Sequence, residues 1–186
     1  LYELFILGEL MEQPMHGYLL HHVLSSTLGP LRPISWGTLY PVLRRMEENS
    51  WIQQSLDASS SRSGRQRKVY EITPSGEQEF HRLMRKPFEH NDQTEDLFRV
   101  KMGNFLHIPR PLQLDIVRQY KTFLEVLADG IEDIAHRVQD NVGVSDDERP
   151  HILNVVDYEA TAVRAKLMWV EKYLENLEHD GENREK

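Results

Sequence analysis

The chain has 186 residues, of which 39% are hydrophobic and 28% charged, with a formal net charge of −8 and no cysteine. Its length allows one domain or two small ones, and its composition is that of a folded globular protein, not a disordered one. The lack of cysteine excludes disulfide scaffolds, thiolate metal sites and cysteine nucleophiles, and no apolar run approaches the ~20 residues of a membrane span.

The first segment already carries Glu3 and Glu9, unlike a secretory signal, and the start at Leu1 in place of Met leads us to expect a few residues before it. Leu4, Phe5, Leu7, Leu10 and Met11 recur at helical spacing, which predicts a helix over residues 1–12, ended by Gln13-Pro14. A second helix is predicted from Gly17 to Leu28, with Leu19, Leu20, Val23 and Leu24 as its apolar face and Gly29-Pro30 as its stop. Ser35 is a suitable N-cap for a third helix reaching Asn49, with Leu39, Val42, Leu43 and Met46 as its inner stripe.

The period then changes. Trp51 to Asp57 alternates Ile52, Gln54 and Leu56, as a half-buried strand does. Ala58 to Gly64 is a Ser-rich loop, and Gln66 to Ile72 is a second strand with Tyr70 and Ile72 on one face. Thr73 caps a fourth helix that has Pro74 at its first position. Beyond it the pattern is all helical. Asp96 to Leu106 is apolar enough to pack through Leu97, Phe98, Val100, Met102, Phe105 and Leu106. Ile116, Tyr120, Phe123, Leu127, Ile131, Ile134 and Val138 step by three or four, which predicts an amphipathic helix of roughly 25 residues. A polar loop from Asn141 to Pro150 leads to a second long helix running from Ile152 past Leu177 into a charged, frayed tail.

The expected fold is therefore mainly α with a small β-hairpin. Residues 1–86 have the element order of a winged helix-turn-helix, a DNA-binding domain. Residues 87–186 form a helical region expected to dimerise, because two long apolar stripes exceed what so small a chain can cover by itself. Leu124, Leu127, Trp169, Tyr173 and Leu177 are the candidates for that interface.

The charge divides at the same place. Residues 1–86 hold 10 basic and 9 acidic side chains, leaving 12 basic and 21 acidic ones for residues 87–186. Gln13 to Met46 has no acid but contains Arg32, Arg44 and Arg45, and Ala58 to Tyr70 has no acid but contains Arg62, Arg65, Arg67 and Lys68. Two such stretches in a small domain suit a polyanion, while the acidic half stays away from it and keeps the molecule soluble.

At 100° per residue, the third helix that buries Leu39, Val42, Leu43 and Met46 turns Gly37, Pro41, Arg44 and Glu48 outward, flanked by Thr38, Tyr40 and Arg45. Gly37 and Thr38 make that face slim enough for the major groove, and Tyr40 and Arg44 supply donors. Ser35 and Thr38 at the N-terminus suit phosphate. Trp36 completes the candidate surface. Pro41 removes a helical hydrogen bond and is expected to bend the helix.

The run Ser35-Trp36-Gly37-Thr38-Leu39-Tyr40-Pro41-Val42-Leu43-Arg44-Arg45-Met46-Glu47, then Trp51-Ile52, then Arg65 to Gly76, resembles the PadR family of bacterial transcription regulators. His16-Gly17-Tyr18 also fits that family's second-helix opening, and the second half is similar to its virulence-activator-type C-terminal region. The resemblance implies a cytoplasmic homodimer that binds a palindromic operator in double-stranded DNA, acts as a repressor, and responds to a small aromatic or phenolic effector. Trp36, Trp169 and the Phe98–Phe105 segment are apolar enough to line an effector pocket. Two departures stand out: Asn49-Ser50 replaces the acidic residue and glycine usual before the wing, and Trp36 replaces a small residue or proline.

No cofactor is implied. His16, His21 and His22 lack the spacing and the neighbouring acids of a zinc site, and no phosphate loop, dinucleotide fingerprint or nucleophile motif occurs, so no enzyme is expected. Two other classes fit the same residues: a hydrophobic- or phenolic-ligand sensor with secondary DNA contact, and a winged-helix protein-interaction module.

Overall fold

The computed structural model describes residues 1–27, 34–56 and 68–182. The chain packs as two units, Leu1–Gln113 and Leu114–Lys186. Residues 87–113, grouped with the helical half on sequence, pack within the first unit.

The first unit is built around α1 (Tyr2–Glu12), which buries Leu4, Phe5, Ile6, Leu7, Gly8 and Leu10. Burial on almost every side means that α1 is the central pillar of the unit and not an amphipathic surface helix, and it packs on α2, α3, α4, α5 and β3. Gly8 permits one of these approaches, since a Cβ there would lie 1.9 Å from Asn104 Oδ1. The α1 helix stops at Gln13, as expected ahead of Pro14.

A short strand follows that periodicity did not reveal: β1, Met15–His16. It pairs with β3 (Lys68–Ile72), which pairs in turn with β2 (Ile52–Leu56), giving a three-stranded antiparallel sheet in the order β1-β3-β2. Two residues are too short to show alternation, so only the pairing of Met15 with Tyr70 and of His16 with Val69 defines this strand. The remaining helices are α2 (Gly17–Thr27), α3 (Trp36–Glu48), α4 (Pro74–Arg85) and α5 (Thr94–Gly103). Leu20 and Leu24 form the buried face of α2, while Leu19 is exposed and Val23 half-buried.

Capping sets the boundaries around the hairpin. Ser35 Oγ accepts from the Thr38 amide at the start of α3. At its end Ser50 N donates to Glu47 O and Trp51 N to Met46 O, with Ser50 at φ 59°. That is a Schellman stop, whose left-handed position favours glycine. Thr73 caps α4 by accepting from Gly76 N, and its hydroxyl faces the Ser50 and Trp51 carbonyls. Gly76 lies so close to the hairpin that a Cβ would stand 2.0 Å from Trp51 O. After α5, Leu106 is 81% exposed instead of packed: the chain tightens into a 3-10 turn over Phe105–His107 that buries Phe105 and turns its neighbour outward.

The second unit pairs most of α6 (Arg110–Asp140) with α7 (Arg149–Glu182). Arg118 meets Glu178 at 2.7 Å and Lys121 meets Glu171 at 3.1 Å, which fixes an antiparallel register. Arg149 holds the connecting loop, donating to the carbonyls of Val138, Gln139, Asn141 and Val144 and so satisfying acceptors that the end of α6 leaves open. Mainly helical architecture with a small sheet is what the sequence predicted.

Candidate nucleic-acid interface

Helix α3 buries Leu39, Val42, Leu43 and Met46 and leaves Gly37, Thr38, Tyr40, Pro41, Arg44, Arg45 and Glu48 exposed. The 100° construction thus places its outer face correctly. Pro41 lies within the helix and offers no amide to the carbonyl of Gly37. Ser35 is the N-cap, and its hydroxyl also lies 3.0 Å from Thr38 Oγ1.

Four rings join α2 to the first turn and a half of α3. Trp36 stacks on His21 at a centroid distance of 4.1 Å and 13°, on Tyr40 at 5.4 Å, and on Tyr18 at 6.4 Å. The tautomer of His21 follows from its neighbour: Nε2 lies 2.5 Å from the Ile34 carbonyl, so it carries the proton and donates. Tyr18 and Tyr40 keep much of their rings in solvent.

Beside this stack α2, α3 and the sheet enclose a cleft of about 1060 Å³. Tyr18, Leu19, Tyr40, Leu43 and Tyr70 give it an apolar wall, and His16, Arg44, Glu47, Gln54 and Lys68 give it polar groups. His16 Nδ1 lies 3.0 Å from the Lys68 carbonyl, which ties the mouth to β3. Burial, with Glu47 and Tyr40 nearby, raises the Tyr70 hydroxyl above its ordinary pKa, so it remains a neutral donor.

The sequence-predicted residues fall into distinct settings. Ser35, Trp36, Gly37, Thr38, Tyr40 and Arg44 share the outer surface of α3, and exposed Lys68 begins β3 on the cleft. Arg45 is engaged by Glu3 of α1 through Nε at 3.0 Å and Nη2 at 2.7 Å. Arg62, Arg65 and Arg67 lie outside the described residues. Of the interface candidates in the second unit, Trp169 is 47% exposed and stacks on half-buried Tyr173 at 5.0 Å. Leu127 is exposed and Leu177 half-buried. Leu124 is fully buried within a single chain, so no partner can reach it. Phe98 and Phe105 are also buried. The reading from sequence missed Tyr18, His21, Gln54 and Tyr70 as site residues. Only the His16-Gly17-Tyr18 resemblance hinted at the first, and nothing in the spacing brings His21 to Trp36.

Among the described residues no group of acids and histidines could hold a metal ion, and no helix is long and apolar enough to cross a membrane. No curated protein matches the chain. Among solved structures it is similar to Bacillus subtilis PadR in complex with operator DNA (18% identity, 94% of this chain and 98% of that one, TM-score 0.44). It is also similar to the same protein in complex with p-coumaric acid (18%, 95% and 98%, TM-score 0.39). A third is the PadR-like transcriptional regulator BC1756 from Bacillus cereus (22%, 97% and 99%, TM-score 0.40). The model of the transcriptional regulator PadR-like family matches residues 6–82, the stretch that contains most of α1, the aromatic stack, α3, the sheet and most of α4. Residues 6–82 of this chain thus match the model of the PadR-like family of transcriptional regulators.

Proposed function

We propose that this chain is a cytoplasmic transcription regulator, and that it binds a palindromic operator in double-stranded DNA as a homodimer and represses from it. The observation that carries the reading is the outer face of α3. It is slim at Gly37 and Thr38, begins with amides at a Ser35 cap, and carries exposed Tyr40 and Arg44. Such a face fits the major groove, with its N-terminus toward phosphate. Lys68 and the basic stretch before it extend the contact along the backbone, as a wing does. Arg45 serves differently, holding α1 against α3 through Glu3. On this reading residues 1–86 bind DNA and the helical remainder dimerises through Leu127, Trp169, Tyr173 and Leu177.

Salt dependence is the test. Duplex affinity falls steeply as salt rises, with a log–log slope of roughly 0.9 for each phosphate neutralised. An affinity that is flat in salt rejects phosphate contact and favours a protein-interaction module.

A second reading adds a small aromatic effector. The cleft favours it: three tyrosines and two leucines wall a volume of about 1060 Å³ on the face that would meet DNA. An effector seated there competes with the duplex. Bacillus subtilis PadR, seen both with operator DNA and with p-coumaric acid, offers a precedent for the pairing.

A further inference from the structure

The two neighbouring arginines of α3 are held in different ways. Arg45 spends Nε and Nη2 on one carboxylate oxygen of Glu3. Arg44 gives Nε to Glu48 Oε1 at 3.0 Å, one turn along the same helix, and its Nη1 and Nη2 have no partner among the described residues. Its side chain is 82% exposed.

Glu48 is out of place on a surface that meets a polyanion, since an exposed carboxylate there weakens attraction to every duplex. Its position makes sense as an orienting group. A guanidinium held at Nε presents its Nη1–Nη2 edge, two parallel donors in a fixed plane. In the major groove guanine alone offers two acceptors side by side, N7 and O6. Adenine sets a donor beside its acceptor, and cytosine offers a donor. An exposed i,i+4 ion pair contributes little to folding, so the effect of this one falls on recognition.

Resting on the duplex-binding reading above, we propose that Arg44 reads a guanine through its Nη1–Nη2 edge, and that Glu48 is the positioning residue that aims it. Glu48 then trades affinity for selectivity: it lowers binding to any duplex and raises discrimination among them.

The test uses the full chain, a duplex selected by it from a random pool, and an unrelated duplex of equal length. Glu48→Gln binds the unrelated duplex several-fold more tightly, while its ratio of selected to unrelated affinity falls about tenfold. Replacing one guanine of the selected duplex with 7-deazaguanine removes N7. It weakens the unmodified protein about tenfold, Glu48→Gln much less and Arg44→Ala not at all. In an Arg44→Ala background, Glu48→Gln leaves the ratio unchanged. The proposal is overturned if Glu48→Gln leaves the ratio intact, or if it lowers the ratio equally with and without Arg44, in which case Glu48 contacts a base itself. Failure of the unmodified protein to bind any duplex at low salt is a separate result, seen before any variant is made. It removes the duplex-binding reading itself.

Discussion

Ser50 carries the cost of a departure visible in the sequence. Its φ of 59° is the left-handed position of the stop that ends α3, where a Cβ crowds the backbone. The motif's hydrogen bonds, to Glu47 O and Met46 O, are made nonetheless. Ser50→Gly should therefore raise stability by about 1 kcal/mol, read as a higher denaturant midpoint at unchanged slope. The neighbouring Gly76 allows no such freedom, because the Trp51 carbonyl occupies the place of its Cβ.

Glu9 is the other residue under tension. Burial, and then the nearby Glu12, raises its pKa above the ordinary 4.5. The folded state thus binds the proton more tightly than the unfolded chain does. The resulting penalty is full above the folded pKa, fades as pH falls through it, and is gone below the unfolded value. Glu9→Gln should be more stable than the parent at pH 7, and the gap should close on acidification below about 4.5. A gap constant over that range would place the effect elsewhere.

At the scale of elements, the aromatic stack fixes how α2 meets α3. Trp36 is the shared ring, stacked on His21 of α2 and on Tyr40 of its own helix. Stacked pairs contribute about 0.5–1.5 kcal/mol each beyond burial, so Trp36→Ala should cost about 1–3 kcal/mol in thermal or chemical unfolding. Trp36→Phe should recover most of it. Because the same rings set the direction of Tyr40, the alanine variant should lose more affinity for a selected duplex than for an unrelated one. Equal losses on both would assign Trp36 to stability alone.

The sequence located these elements well where a local rule applied. The Ser35 cap, the Thr73-Pro74 opening and the inner stripe of α3 are encoded within a few residues, and each was found where expected. Elements that depend on distant partners were not legible. Two residues of β1 become a strand only because β3 lies beside them, and Leu106 turns outward because a 3-10 turn interrupts the helical period.

At the scale of the molecule, a net charge of −8 is a misleading average, because the acid is concentrated beyond residue 86. Association between copies is the open consequence of the second unit. Leu127, Met168 and Trp169 are exposed on its helices, and Trp169 lies flat against Tyr173. Apolar and aromatic surface of this kind is what a homodimer covers. Trp169→Glu with Leu127→Glu should shift the protein from dimer to monomer in sedimentation equilibrium and leave its helix content intact. The monomer should bind a palindromic duplex far more weakly than the dimer, because each subunit then holds its half-site alone. A parent protein that sediments as a monomer at micromolar concentration would end this reading.

Local chemistry, then, was readable from the sequence alone. Helical and strand periods, caps and breakers, the outward face of α3 and the separation of charge all depend on neighbours within a few positions, where spacing and residue type are sufficient. Only the tertiary structure decided that the two adjacent arginines are held differently, since Arg45 is claimed by Glu3, 42 positions away, while Arg44 pairs with Glu48 on its own helix. It also decided that Leu124 is core, that His21 lies on Trp36, and that three tyrosines from α2, α3 and β3 share one cleft. These outcomes turn on which surfaces the packed elements bring together, and periodicity gives the face of an element without naming what will cover it.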